Sequence, residues 1–222
     1  MAENINYVSL TKVDTKDWKM FNADYTLYSS LQVHYHAPSE HTINGKSYDL
    51  EMHMVHVFSD MAEMYKPNNT EDTMYSINES AHDLAVIGVL FYEDPDATED
   101  VFDHLLMTVN ETDEMVMNNY TKWMNFTQAA NFRSAFECIS EGYFYHYEGS
   151  LTTPPCHEAV NWLVSREPLP IKTSTLNDFR AKLNGGSANN RPTMPLNGRK
   201  VSLISPSQCE KHRWKVWEML TG

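Results

Sequence analysis

Five of the chain's ten histidines fall between residues 34 and 56. Imidazole is the side chain best suited to hold a metal or move a proton near neutral pH, so this cluster marks where chemistry is expected. In LQVHYH, residues 31–36, strand alternation puts Gln32, His34 and His36 on one face. In YDLEMHMVHVF, residues 48–58, it puts Glu51, His53 and Val55 on one face. Asn44-Gly45 between them is a two-residue hairpin signal, because both residues accept positive φ. With that dipeptide as the loop, His36 faces His53 and His34 faces Val55. Opposed Cβ atoms lie about 4.5–5.5 Å apart and diagonal ones about 7–8 Å. His34, His36 and His53 are therefore expected to converge. Three neutral imidazoles with an open fourth position are the ligand set of a catalytic zinc site.

The companions of these histidines fit the same chemistry. Gln32 and Glu51 each precede a histidine by two residues on its own face. A metal-bound imidazole gives its second N–H to such an acceptor, which fixes the ring. Glu40 follows within reach. Packing alone does not explain three histidines on one face, because unpaired buried polar groups cost stability. Pro38 disturbs the ladder after His36, and only an even slip in register keeps the shared face. His-x-His with a distant third His also occurs in cupin-like barrels, so the pattern specifies a metal better than a reaction. His41 and His56 lie near the cluster but fall in the loop or on the wrong parity. The remaining histidines are scattered and read as structural or surface residues.

The elements that must position these residues read mainly as strands, over 7–14, 25–36, 48–58, 143–147 and 159–165. LAVIGVLF, 84–91, is a continuous apolar run and reads as a strand buried on both faces. Val101, Leu105 and Val109 predict a helix over 97–109. A short helix is predicted over 173–183, opened by a Ser or Thr cap. Trp214, Trp217 and Leu220 share a stripe of a terminal helix over 209–220. That stripe reads either as a docking face for a partner or membrane surface, or as a face packed back on its own domain.

At 222 residues and 41% hydrophobic, the chain can bury one sizeable core. Its 17 Lys and Arg against 30 Asp and Glu give a net charge of −13, which argues against nucleic-acid binding. No apolar run is long enough for a transmembrane segment, and MAENINYVSL lacks a signal-peptide pattern. Cys138, Cys156 and Cys209 form no CxxC, and their odd number leaves at least one thiol over. Five Asn-x-Ser/Thr sequons, at Asn68, Asn78, Asn110, Asn119 and Asn125, cluster in one stretch and point to an exposed region of a secreted protein.

HYHAPSEH (34–41), EMHMVH (51–56), LAVIGVLF (84–91), YEGSLTTPPCHEAVNWLV (147–164) and NNRPTMPLNGR (189–199) closely resemble α-class carbonic anhydrases, in family order. The resemblance implies a sheet-dominated α+β fold, with a large, twisted, mostly antiparallel central sheet and short peripheral helices. It implies reversible hydration of CO2 to bicarbonate by zinc-bound hydroxide, and it disfavours the cupin reading. His34, His36 and His53 match the zinc ligands. Gln32, Glu51 and Asn189 match the partners of those ligands. Thr152 matches the residue that takes a hydrogen bond from the hydroxide, and Glu40 the carboxylate that receives the Thr152 proton. Val55, Val86, Leu151, Val160 and Trp162 match an apolar CO2 pocket, and Thr153 a bicarbonate-contacting position.

The sequence also departs from that family. The domain is expected over 1–203 without the family's usual N-terminal segment and its GxxQSPI stretch, with 204–222 as a C-terminal extension. No His precedes His34, so proton release is expected to lean on buffer. Cys156 matches a cysteine that pairs with the N-terminal segment in secreted relatives. Here either the chain is a fragment, or Cys138 or Cys209 substitutes, or the thiol is free. A second function therefore stands beside the enzyme: an anhydrase-fold structural subunit of a larger assembly. Its protein partner, or a second copy, would dock through the C-terminal helix or the uncovered N-terminal side.

Overall fold

The structure is a computed structural model, and it describes residues 9–10, 19–21, 27–58, 84–104, 142–183 and 187–204. The sequons, the Trp-bearing terminal segment, Cys138 and Cys209 lie outside the described residues. Among these residues the elements run β1 (Ser9–Leu10), β2 (Lys19–Phe21), β3 (Leu27–His36), β4 (Leu50–Phe58), β5 (Leu84–Asp94), a 3-10 turn (Val101–His104), β6 (Phe144–Gly149), β7 (Val160–Ser165), β8 (Leu169–Lys172), α1 (Thr173–Lys182) and β9 (Ser202–Ile204).

The strands form one mixed sheet in the order β1-β3-β4-β5-β7-β6-β9, with β2 also on β3 and β8 also on β5. β5 runs parallel to both β7 and β8, and the other pairings are antiparallel. β5 is the pivot, which accounts for its composition. It is flanked by β4 on one side and by β7 and β8 on the other, and its residues from Leu84 to Phe91 are almost all buried. A strand covered on both faces reads as an unbroken apolar run.

Alternation then sorts the sheet into two faces. Val33, Tyr35, Met52, Met54, Val89 and Phe91 belong to one core, closed by Phe102 of the 3-10 turn and by Leu176 and Phe179 of α1. Val55, Val86, Val160, Trp162 and Val164 belong to a second core on the opposite face. The histidine residues of interest stand on that second face.

Two predicted elements differ. Residues 97–100 are not helical and Val101–His104 form a 3-10 turn, while the rest of the predicted helix, with Leu105 and Val109, lies outside the described residues. The buried Asp100 carboxylate accepts the Phe102 N–H at 2.9 Å and the Lys172 N–H at 2.9 Å, so the winding starts only at Val101, capped and tied to β8 by Asp100. Helix α1 starts after Lys172 with no side-chain cap. The Thr173 hydroxyl instead donates to Glu93 Oε1 at 2.7 Å, tying the helix to β5.

Phe102 is fully buried, with ring centroids 5.9 Å from Tyr35, 5.0 Å from Phe91 and 4.9 Å from Phe179. Phe102→Ala should cost about 3–5 kcal/mol, because a rigid aromatic cluster cannot collapse onto the void. Denaturant unfolding measures this. A loss below about 1 kcal/mol would contradict the packing described.

Candidate metal centre

The turn forms where the sequence places it. Asn44 and Gly45 have φ of 53° and 76°, and Ile43 and Lys46 exchange hydrogen bonds of 3.1 and 3.0 Å. The register beyond it is different from the predicted one. His34 pairs with His53, His36 with Glu51, and Gln32 with Val55. The pairing has slipped by two residues relative to the turn. Past Pro38 the Ser39 N–H still bonds Tyr48 O at 3.0 Å in the slipped register, so the offset arises between Ser39 and Ile43, where the Glu40 and His41 N–H groups turn aside to Glu51 Oε2. An even slip moves no side chain to the other face, so the three imidazoles still share one.

His34, His36 and His53 offer ring nitrogens that all lie within 4.8 Å of one another. Their ring centroids are 5.0, 5.1 and 4.7 Å apart. His53 Nδ1 stands 3.3 Å from His34 Nε2. Ligands about 2.0–2.1 Å from a tetrahedral zinc sit about 3.3 Å from each other, so this edge already has the right length. His36 Nε2 is buried with no hydrogen-bond partner, and its Nδ1 faces the Asn189 carbonyl at 3.4 Å. An imidazole anchored at one nitrogen and bare at the other is prepared to ligate. The donor set, three imidazoles converging on one face of the sheet, fits zinc.

Burial keeps His34 and His36 neutral, as ligation requires. Burial first, then the neighbouring His53, pulls His36 down to about 4. Burial and the two other imidazoles hold His34 well below the usual histidine range. Glu51 opposes the trend. Its own burial would raise it, but His41 and His53 hold it well below the carboxylate range.

Glu51 has no exposed surface and accepts four hydrogen bonds. Oε2 takes the N–H groups of Glu40 and His41 at 2.8 Å each. Oε1 contacts His53 Nε2 at 2.7 Å and His41 Nδ1 at 2.5 Å. A carboxylate only accepts, so His53 carries its proton on Nε2, which leaves the Nδ1 lone pair for a metal. Gly88, opposite His53, makes the space: a Cβ there would come within 3.1 Å of Glu51 Oε1.

The segment after Asn189 closes the site from above. Asn189 Oδ1 accepts the Ala37 N–H at 2.9 Å, its Nδ2 donates to Tyr35 O at 3.1 Å, and the Arg191 N–H donates to Glu40 Oε1 at 2.7 Å. Glu40 Oε2 is buried with no hydrogen-bond partner and lies 4.0 Å from His53 Nδ1. Thr152 and Glu40 line the same cavity, of about 460 Å³. The Thr152 to Glu40 Oε2 bond implied by the sequence resemblance is not made.

Val55, Val86, Val160 and Trp162 are buried together, with the half-buried Leu151 against them. Trp162 lies 4.8 Å from the His53 ring, so this apolar surface abuts the candidate centre. Thr153 is half-buried, and its carbonyl accepts the Cys156 N–H at 3.0 Å in the turn after β6. Cys156 stands as a thiol. Of Gln32 only the backbone is described, opposite Val55.

His41 is the residue that strand reasoning set aside. It sits in the loop after β3, with Nδ1 on Glu51 and Nε2 2.6 Å from the Tyr147 hydroxyl. Tyr147, on β6, was not singled out either. No local spacing could join them, since 106 residues separate the two.

A family model described as eukaryotic-type carbonic anhydrase matches residues 3–205. The chain belongs to this family. It is 33% identical over 178 residues to a carbonic anhydrase of Klebsiella pneumoniae, covering 80% of this chain and 58% of that protein. It is 30% identical over 182 residues to alpha carbonic anhydrase 8 of Arabidopsis thaliana, covering 82% of this chain and 39% of that one. Among solved structures, carbonic anhydrase Cah3 of Chlamydomonas reinhardtii, in complex with acetazolamide, superposes with a TM-score of 0.55 at 26% identity, over 81% of this chain and 66% of that one. The alpha-carbonic anhydrase of Thermovibrio ammonificans, bound to sulfanilamide, gives 0.55 at 28% identity, over 88% and 78%. The chain thus spans only part of the length of the curated anhydrases it resembles.

Buried neutral histidines predict a pH dependence. His56, on the face opposite His53, bonds Met54 O at 3.1 Å and is held at about 4 by burial. The unfolded chain takes up protons near 6.5 while the folded chain does not. Stability of the metal-free protein should therefore fall as pH drops from about 6.5 to 4. His56→Gln removes one such proton without touching the metal face. It should lessen that fall by about 3 kcal/mol in denaturant melts across this range. An identical fall in both proteins would contradict a buried neutral His56.

Proposed function

We propose that this anhydrase-family chain holds zinc at His34, His36 and His53 and catalyses the reversible hydration of CO2 to bicarbonate. The convergence of three ring nitrogens within 4.8 Å, one of them aimed by a buried Glu51, carries this reading. Zinc in such a site supplies hydroxide at neutral pH, by lowering the pKa of water to about 7.

The chain's residues do the rest. His34, His36 and His53 bind the metal, with Glu51 and the Asn189 carbonyl orienting two of them and Gln32 assigned to the third. Glu40, fixed by the Arg191 N–H, offers its bare Oε2 to the Thr152 hydroxyl. A Thr152 hydroxyl that donates to Glu40 accepts only from a protonated oxygen, so it selects a hydroxyl and aims its lone pair. Val55, Val86, Leu151, Val160 and Trp162 offer CO2 a surface that needs no charge, because CO2 is a nonpolar gas. Thr153 contacts the bicarbonate product.

One observation favours a second reading, an anhydrase-fold subunit of a larger assembly with weak or no activity. Glu40 Oε2 receives no bond from Thr152, so the orienting pair is not closed.

CO2 hydration followed by stopped-flow, before and after zinc removal by a chelator, separates the two readings. The enzyme reading expects activity that vanishes with the metal and returns on adding zinc. A zinc-loaded chain no faster than buffer supports the subunit instead. If active, Thr152→Ala should retain zinc but lose about 10²-fold in turnover, the cost of one preorganised hydrogen bond. An unchanged turnover would remove Thr152 from the mechanism.

A further inference from the structure

We propose that Tyr147 and His41 are positioning residues for the metal ligand His53, acting through Glu51, and that they govern how long the chain retains its metal. The inference rests on the zinc reading above and extends it by two residues.

A continuous hydrogen-bonded path carries the argument. The Tyr147 hydroxyl lies 2.6 Å from His41 Nε2, and His41 Nδ1 lies 2.5 Å from Glu51 Oε1. The same oxygen accepts from His53 Nε2 at 2.7 Å. Two imidazoles thus share one carboxylate oxygen, and the direction of that oxygen sets the plane of the His53 ring. Glu51 Oε2 is pinned by two backbone N–H groups, so the remaining freedom of the carboxylate is rotation at Oε1. His41 removes that freedom.

His41 in turn needs Tyr147, whose ring is itself held. It stacks on Trp162 at 6.3 Å with an interplanar angle of 7°. The Arg199 guanidinium also lies over it, 5.3 Å from the centroid. Gly149 permits this placement, since a Cβ there would stand 2.6 Å from Tyr147 Cε2. A ring fixed this tightly has no packing reason to carry a hydroxyl, whereas orienting His41 gives it one. Without it, His41 Nε2 loses its partner and the ring is free to turn away from Glu51.

Tyr147→Phe keeps the ring and deletes only the hydroxyl. Zinc-loaded wild type and variant are mixed with excess chelator, and zinc release is timed. Thermal melting of both proteins is recorded with and without metal. The proposal expects release about tenfold faster, the low end of what losing a ligand's outer partner costs. It also expects the zinc-induced rise in melting temperature to shrink, while the metal-free melting temperature barely moves. His41→Ala, which removes the imidazole, should release zinc faster still. Unchanged release, or equal drops in metal-free and zinc-loaded melting temperatures, would mean a purely structural role and overturn the proposal. A wild-type chain that takes up no zinc would overturn both this proposal and the zinc reading.

Discussion

A carboxylate with no access to water must be surrounded by donors, and this requirement at Glu51 organises the site. Its four hydrogen bonds come from the backbone of Glu40 and His41 and from the rings of His41 and His53. Removing one partner from a buried charge is expensive, because the charge is left uncompensated. The loop after β3 therefore cannot move independently of β4. Glu40, one residue before His41, is carried to the edge of the histidine cluster by the same anchor.

The sheet supplies the second constraint. β5 pairs with β4 on one side and β7 on the other, so Val55, Val86 and Trp162 fall in one row across three strands. His53, Gly88 and Val164 form the next row. Side-chain alternation does the sorting, with an apolar core and α1 behind, and imidazoles and a carboxylate in front. The back core gives the rigidity that lets the front keep the bare His36 Nε2 buried.

The shared face of His34, His36, Glu51 and His53 was legible in the sequence because alternation is insensitive to how the connecting loop runs. The pairing was not, because the extra residues between Ser39 and Ile43, whose N–H groups at Glu40 and His41 go to Glu51, put the strands two residues out of step with the Asn44-Gly45 turn. β5 was legible from its unbroken apolar run. The start of the helix expected over 97–109 was not legible, because no spacing could show that Asp100 would take the N–H groups of Phe102 and Lys172 and begin the winding only at Val101. The role of His41 was illegible for a related reason: its partner Tyr147 is set by how β6 packs beside β7. The resemblance in HYHAPSEH and GSLTTPP named the family, which the family model then matched over most of the chain.

The central claim is that three imidazoles gather one metal on the front of the sheet. X-ray absorption at the zinc edge, on the chain loaded with one equivalent, tests it most directly. The account predicts about three nitrogen scatterers with the outer-ring signature of imidazole, and one oxygen, all near 2.0–2.1 Å. A first shell containing sulfur, or fewer than three imidazoles, would contradict it.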